Sequence, residues 1–213
     1  MRPRSTPKPN PAAASRITAK LCGVACAIAF GSFAVSCGLD PVHDGAVKAL
    51  GDEDPNIPPG PYHRQGQPCN VCHDVQGPAD SKFALSGTIF WGPTNNIGVD
   101  QAFVRIVDAN GAKKCFVTNC KGNFFARPEQ VPKLTFPILV SVEKPPAYRA
   151  MTGRIGRERA CSNCHKNPRF FDSPGQVRLV NSEAEVPADA KAAAKACPPP
   201  GDPPLLRCPE DQE

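Results

Sequence analysis

The chain has 213 residues, including 26 Pro, 17 Gly and 11 Cys, and only 40% of it is apolar. That composition disfavours a helical bundle or a large α/β enzyme. The formal charge of +5 belongs to the first 36 residues, where Arg2, Arg4, Lys8, Arg16 and Lys20 meet no acid. From residue 37 onward 20 basic and 20 acidic residues balance, so nothing calls for a nucleic-acid partner. The run 21–36 carries no charge and follows Lys20 directly. It is shorter than the ~20 residues a membrane span needs, and it predicts a signal peptide over 1–36.

The sequence continues Ala34-Val35-Ser36-Cys37-Gly38. Small residues before a Cys resemble the lipobox of bacterial lipoproteins, with Ala34 where Leu is commonest. The resemblance implies acylation of Cys37, a lipid-anchored tether over 37–62, and residence in the bacterial cell envelope. Gly38, rather than Asp, after the Cys favours the outer membrane. No Arg-Arg pair precedes the apolar run, so export of an unfolded chain into an oxidising compartment is expected.

Cys22 and Cys26 fall within the signal peptide. Four of the other cysteines form two copies of one pattern, Cys69-Asn70-Val71-Cys72-His73 and Cys161-Ser162-Asn163-Cys164-His165. C-x-x-C-H is the attachment pattern of c-type haem. Its two thiols can add to the vinyl groups along one porphyrin edge, and the adjacent His then reaches the iron. The 88 residues between the pairs are too many for a zinc ribbon, and no βαβ pattern suggests a thioredoxin-like site. The motifs resemble those of multihaem c-type cytochromes. That resemblance implies two covalent haems, one on Cys69, Cys72 and His73 in segment 63–82, the other on Cys161, Cys164 and His165 in segment 146–175.

Each iron would have a second axial face. The chain holds four His, and Met151 is the one Met beyond the signal peptide, so His63, His43 and Met151 are the distal candidates. His63 lies six residues before Cys69 and Met151 ten before Cys161, a parallel placement that favours this pair. Which iron each serves stays open. A distal Met raises the reduction potential relative to a distal His.

Between the motifs, residues 83–145 read as β. Strands are expected over 83–91, 102–108, 113–118, 123–126 and 134–142, with Asn110-Gly111 marking a hairpin and Pro137 an edge or bulge. The expected fold is mainly β: a small antiparallel β-sandwich flanked by two largely irregular or short-helical haem-binding segments. The elements Gly87-Thr88, Gly98, Ala102-Phe103-Val104, Asn110-Gly111 and Gly122-Asn123-Phe124 resemble carboxypeptidase-regulatory-like, prealbumin-like domains. Gln101 stands where those domains often carry Gly. The resemblance implies a scaffold or adhesion module without catalytic residues.

Cys115, Cys120, Cys197 and Cys208 remain for disulfides, with three possible connectivities. The local pairs Cys115–Cys120 and Cys197–Cys208 are favoured, although the first requires a turn inside the third strand. Residues 147–161, which include Arg149, Arg154, Arg157 and Arg159, have helical potential. Their charge suits a solvated face, haem propionates or an acidic partner. In the Pro-rich tail, 176–213, a short helix is expected over 187–196, and Ser182 with Glu185 forms a weak capping box.

The functional expectation is electron transfer by a membrane-tethered two-haem protein that exchanges electrons with redox partner proteins of the envelope. Six-coordinate iron would leave no substrate position, so an electron carrier is favoured over an enzyme. The alternatives are a peroxidase-like haem enzyme and a haem-bearing interaction or sensor module.

Overall fold

The computed structural model describes residues 40–166, 173–195, 197 and 205–206. The expected signal peptide, Cys37 and Cys208 lie outside the described residues. The chain divides into two compact units, Met1–Gly45 and Ala46–Glu213.

Helix α1, Pro41–Ala49, begins in the first unit. Asp40 caps it: its Oδ1 accepts from the amides of Val42 at 3.1 Å and His43 at 3.0 Å, and Pro41 occupies the first helical position. Part of the segment read as tether is thus helical, and the Asp-Pro pair was the local signal for it. No helix among the described residues is long and apolar enough to cross a membrane.

In the second unit, a one-turn helix α2, Asn70–His73, precedes four strands: β1, Leu85–Thr88; β2, Phe103–Val107; β3, Lys113–Val117; and β4, Asn123–Ala126. β5, Leu139–Lys144, and β6, Ala147–Ala150, follow. After them come one-turn helix α3, Cys161–Cys164, helix α4, Ala190–Lys195, and β7, Leu205–Leu206. β1 and β4 pair antiparallel as one sheet. The other sheet runs β6-β5-β2-β3-β7, antiparallel throughout. The fold is therefore mainly β, and four of the five expected strands fall within their predicted ranges.

The β2–β3 hairpin turns at Asn110-Gly111, as its sequence predicts. Gly111 takes φ 80°, and Asp108 Oδ1 accepts from the amides of Asn110 and Ala112, both at 2.8 Å. In β2 the alternation is complete once side chains are placed: Val104 and Ile106 are buried while Phe103, Arg105 and Val107 are only half-buried. These two join Phe116, Val142 and Ile138 from one sheet region with Leu85, Phe124 and Ala126 from the other in a single core.

Several expectations fail. The fifth strand begins at Leu139, so Pro137 precedes it rather than marking an edge; β5 lies inside the sheet, between β2 and β6. Residues 147–150 are a strand, not the start of a helix. Pro145-Pro146 turns the chain back, and pairing with β5 from Lys144↔Ala147 to Ser141↔Ala150 outweighs the weak helical propensity. The sheet also reaches beyond 145 at its other edge, where β7 covers β3. Ser182 and Glu185 bracket a 3-10 turn, Glu183–Glu185, because Pro187 follows too soon for a longer helix; α4 then forms within the expected 187–196.

The cysteine pairing is also corrected. Cys120 bonds to Cys197, with α-carbons 5.4 Å apart, so neither favoured local pair forms. Cys115 is disulfide-bonded as well, to a partner outside the described residues. The strand explains why: residues 115–117 stay extended, advancing about 3.3 Å each, which carries Cys120 away from Cys115. The turn after β3 instead meets the end of α4, where Lys121 Nζ donates to Ala194 O at 3.0 Å.

Gln101 adopts φ 53°, in the left-handed region that favours glycine, and its side chain is exposed. The strain of holding an L-residue there exceeds the entropy a glycine adds to the unfolded chain. Gln101→Gly is therefore expected to stabilise the protein by about 0.5–1 kcal/mol, read as a rise in the urea midpoint without a change in slope.

Candidate functional site

β1 organises the site. All four of its residues are buried, because the strand is covered on both sides. Its Ser86 amide donates to Arg159 O at 2.9 Å, and a parallel bridge joins Ser86 to Ala160, which sets α3 beside the strand. Gly87 permits the closeness. A Cβ there would lie 2.7 Å from the Phe124 ring and 2.8 Å from Cys161 Sγ.

The loop at 60–67 hangs on the other end of β1. Thr88 Oγ1 donates to Asn123 Oδ1 at 2.7 Å and accepts from the Gly66 amide at 2.9 Å. Asn123 Nδ2 donates to Pro61 O and to His63 O, each at 3.2 Å. Ser162 Oγ, in α3, donates to Gln67 O at 2.9 Å. The two C-x-x-C-H turns are thereby brought side by side, 88 residues apart in sequence. Cys69 is close enough to Cys161 to oppose its ionisation.

Within each motif the details repeat. His73 Nδ1 lies 2.8 Å from Ser81 O, and His165 Nδ1 lies 2.8 Å from Gly175 O. A ring whose Nδ1–H is tied to a carbonyl presents Nε2 as its free ligating nitrogen. Phe83 stacks on the His73 ring at 4.0 Å and 6°, with Phe125 behind it at 4.5 Å, which fixes the ring plane. Burial holds the pKa of His73 below its ordinary value, so the imidazole stays neutral and able to ligate.

Cys69, Cys72, Cys161 and Cys164 are all unpaired, even though each pair is only three residues apart, whereas Cys115, Cys120 and Cys197 are in disulfides. Burial, and after it the neighbouring Cys69, pushes the Cys161 thiol up to about 12; burial raises Cys69 too. A dithiol redox centre needs the opposite, a lowered thiol pKa.

The second motif opens into a cavity of about 740 Å³. Cys161, Cys164 and His165 lie at one side, and Leu85, Val104, Ile106, Phe124, Val140 and Val142 provide apolar wall. Arg149, Arg159 and Arg178 add positive charge to the lining. A chamber of this size with these walls, two unpaired thiols, a histidine with an available Nε2 and guanidinium groups holds the kind of donor set that a covalently attached haem would use.

The distal candidates are distributed unequally. The His63 ring centre is 6.0 Å from that of His73, and its Nδ1 faces Glu53 Oε1 at 3.6 Å. Met151 lines the cavity with His165. His43 lies on α1 within the first unit, and its Nε2 is enclosed without a hydrogen-bond partner. Of the basic run, Arg149 bonds Leu179 O at 3.2 Å and Asn181, Arg159 approaches Asp74 at 3.7 Å, and Arg154 and Arg157 are exposed.

Sequence reasoning missed Thr88, Asn123 and Glu53 as supports for the site. Gly87-Thr88 and Gly122-Asn123 carried the resemblance to prealbumin-like domains, but nothing in them pointed to the 60–67 loop, 22 residues from Thr88 and 60 from Asn123. Among the described residues, no group of three or more His, Cys, Asp or Glu side chains is placed to hold a bare metal ion. Asn123→Ala would leave the His63 carbonyl without its donor and the Thr88 hydroxyl without its acceptor, while the Pro61 carbonyl keeps Asn119 Nδ2 at 2.8 Å. It should cost about 1–3 kcal/mol and speed hydrogen exchange at Gly66 more than in the β2–β3 hairpin. Comparison of the chain with protein families, curated proteins and solved structures finds no match in any of the three.

Proposed function

We propose that the chain is a two-haem c-type electron carrier of the bacterial envelope, anchored by lipid on Cys37 and built around a small prealbumin-like β-sandwich. The observation that carries this reading is the repeated construction of the two motifs. Each is a single helical turn that delivers two unpaired thiols and a histidine whose Nδ1 is tied to a main-chain carbonyl 8 or 10 residues later. Nothing in a disulfide or zinc reading would require both histidines to be oriented alike.

Haem held in this way supplies a one-electron iron couple whose potential depends on axial ligands, burial and nearby charge. The residues of the chain set those conditions. Cys69 and Cys72 hold one group and Cys161 and Cys164 the other, while His73 and His165 offer Nε2. The apolar walls of the cavity exclude water, and Arg149, Arg159 and Arg178 suit the porphyrin carboxylates. Cores shared by Leu85 and Phe124 of one sheet and Val104, Ile106 and Val142 of the other support the sandwich arrangement. The partners would be redox proteins of the envelope and, through the lipid, a membrane, with the outer membrane favoured.

Protein matured in an export-competent host with full cytochrome assembly should be coloured. Its mass should exceed that of the processed chain by two haems, and Cys161→Ala with Cys164→Ala should remove one of them. A colourless protein with the mass of the bare chain would sink the reading. High-spin iron that responds to peroxide or carbon monoxide would favour the peroxidase-like or sensor alternative.

Anchoring has its own test. Cys37→Ala should move the protein from the membrane to the soluble fraction, and continued membrane retention would argue against acylation as the tether.

A further inference from the structure

We propose that the two iron sites are chemically unequal: His63 completes the site of His73, and Met151 completes that of His165. This rests on the haem reading above and adds to it a direction for the electron.

Two imidazoles bonded to opposite sides of one metal at about 2 Å have ring centres about 6 Å apart. His63 and His73 stand at 6.0 Å, with planes 55° apart. The arrangement is braced from outside. Asn123 holds the His63 carbonyl, and Glu53 Oε1 lies 3.6 Å from His63 Nδ1, so the carboxylate faces the nitrogen that would not bind metal. Arg64 in turn fixes Glu53, donating from Nε at 3.0 Å, and clasps Gly51 O at 3.0 Å. The carboxylate stands on the side from which a ligating histidine is usually oriented, although at this distance Nδ1 has no hydrogen bond.

The cavity at the second motif contains no other histidine. Its lining offers Met151 and Glu158 as potential donors. Glu158 is already engaged, accepting from the Arg159 amide at 3.0 Å and from Asn163 Nδ2 at 2.6 Å. Met151 follows directly on β6, its amide tied to Val140 O at 3.0 Å; its half-exposed side chain is the one thioether in the lining, and the Asn181 and Gln176 oxygens already accept from Arg149 and Arg178. A thioether favours the reduced metal more than an imidazole does, and the apolar cavity acts in the same direction. The second site therefore has the higher potential. Haem held by His63 and His73 would then supply the lower-potential couple and haem held by His165 and Met151 the higher one, so electrons from a reduced donor protein would run from the first pair's group towards the second's. With the two motifs side by side, the transfer has a short path.

The test uses the full-length protein with both haems attached, examined by redox titration, far-red absorption and electron resonance. Two separate one-electron steps are expected, with a far-red sulfur-to-iron band in the oxidised protein. Met151→Ala should abolish that band and change only the upper step. Met151→His should keep the iron low-spin while shifting the upper step down towards the lower. His63→Ala should convert one of the two low-spin signals and change only the lower step. Two coincident steps, no far-red band, or an unchanged spectrum in either alanine variant would overturn the assignment while leaving two haems in place. Absence of covalent haem would remove both this inference and the reading beneath it.

Discussion

The buried hydrogen bond from Thr88 Oγ1 to Asn123 Oδ1 ties β1 to β4 and also fixes the loop that leads into the first C-x-x-C-H turn. Each group does double duty. Thr88 receives the Gly66 amide, and Asn123 reaches two carbonyls of the same loop. A polar pair that is satisfied on all sides in a dry setting is directional in a way that apolar packing is not. The His63 loop is consequently positioned by the rigid part of the fold.

Around that pair, β1 acts as a shared wall. Gly87 lets Cys161 approach its backbone, and the Ser86–Ala160 bridge aligns α3 alongside. The second motif is thus held by main-chain contacts and close approach, the first by a loop hung from side chains. A helix of four residues has no stability of its own. Both turns exist because tertiary contacts hold them, and the Ser162–Gln67 bond ties the second to the loop that leads into the first.

The cysteines follow the same division between local and long-range. Cys69, Cys72, Cys161 and Cys164 lie in turns whose geometry leaves the thiols unpaired, while the Cys120–Cys197 bond closes a separation of 77 residues and secures α4 to the turn after β3.

Residue order alone determined what depends on neighbours in the chain. The duplicated motif, the Asn110-Gly111 turn and most strands were legible because spacing and backbone preference act over a few residues. What it could not determine were contacts whose strength comes from elements meeting far apart. These include the pairing of Cys120 with Cys197, the strand at Ala147–Ala150, the Ser81 and Gly175 carbonyls behind the two histidines, and the nearness of His63 to His73. A main-chain carbonyl carries no side-chain signal, and a ring's orientation depends on everything packed around it. Only the folded chain decided those.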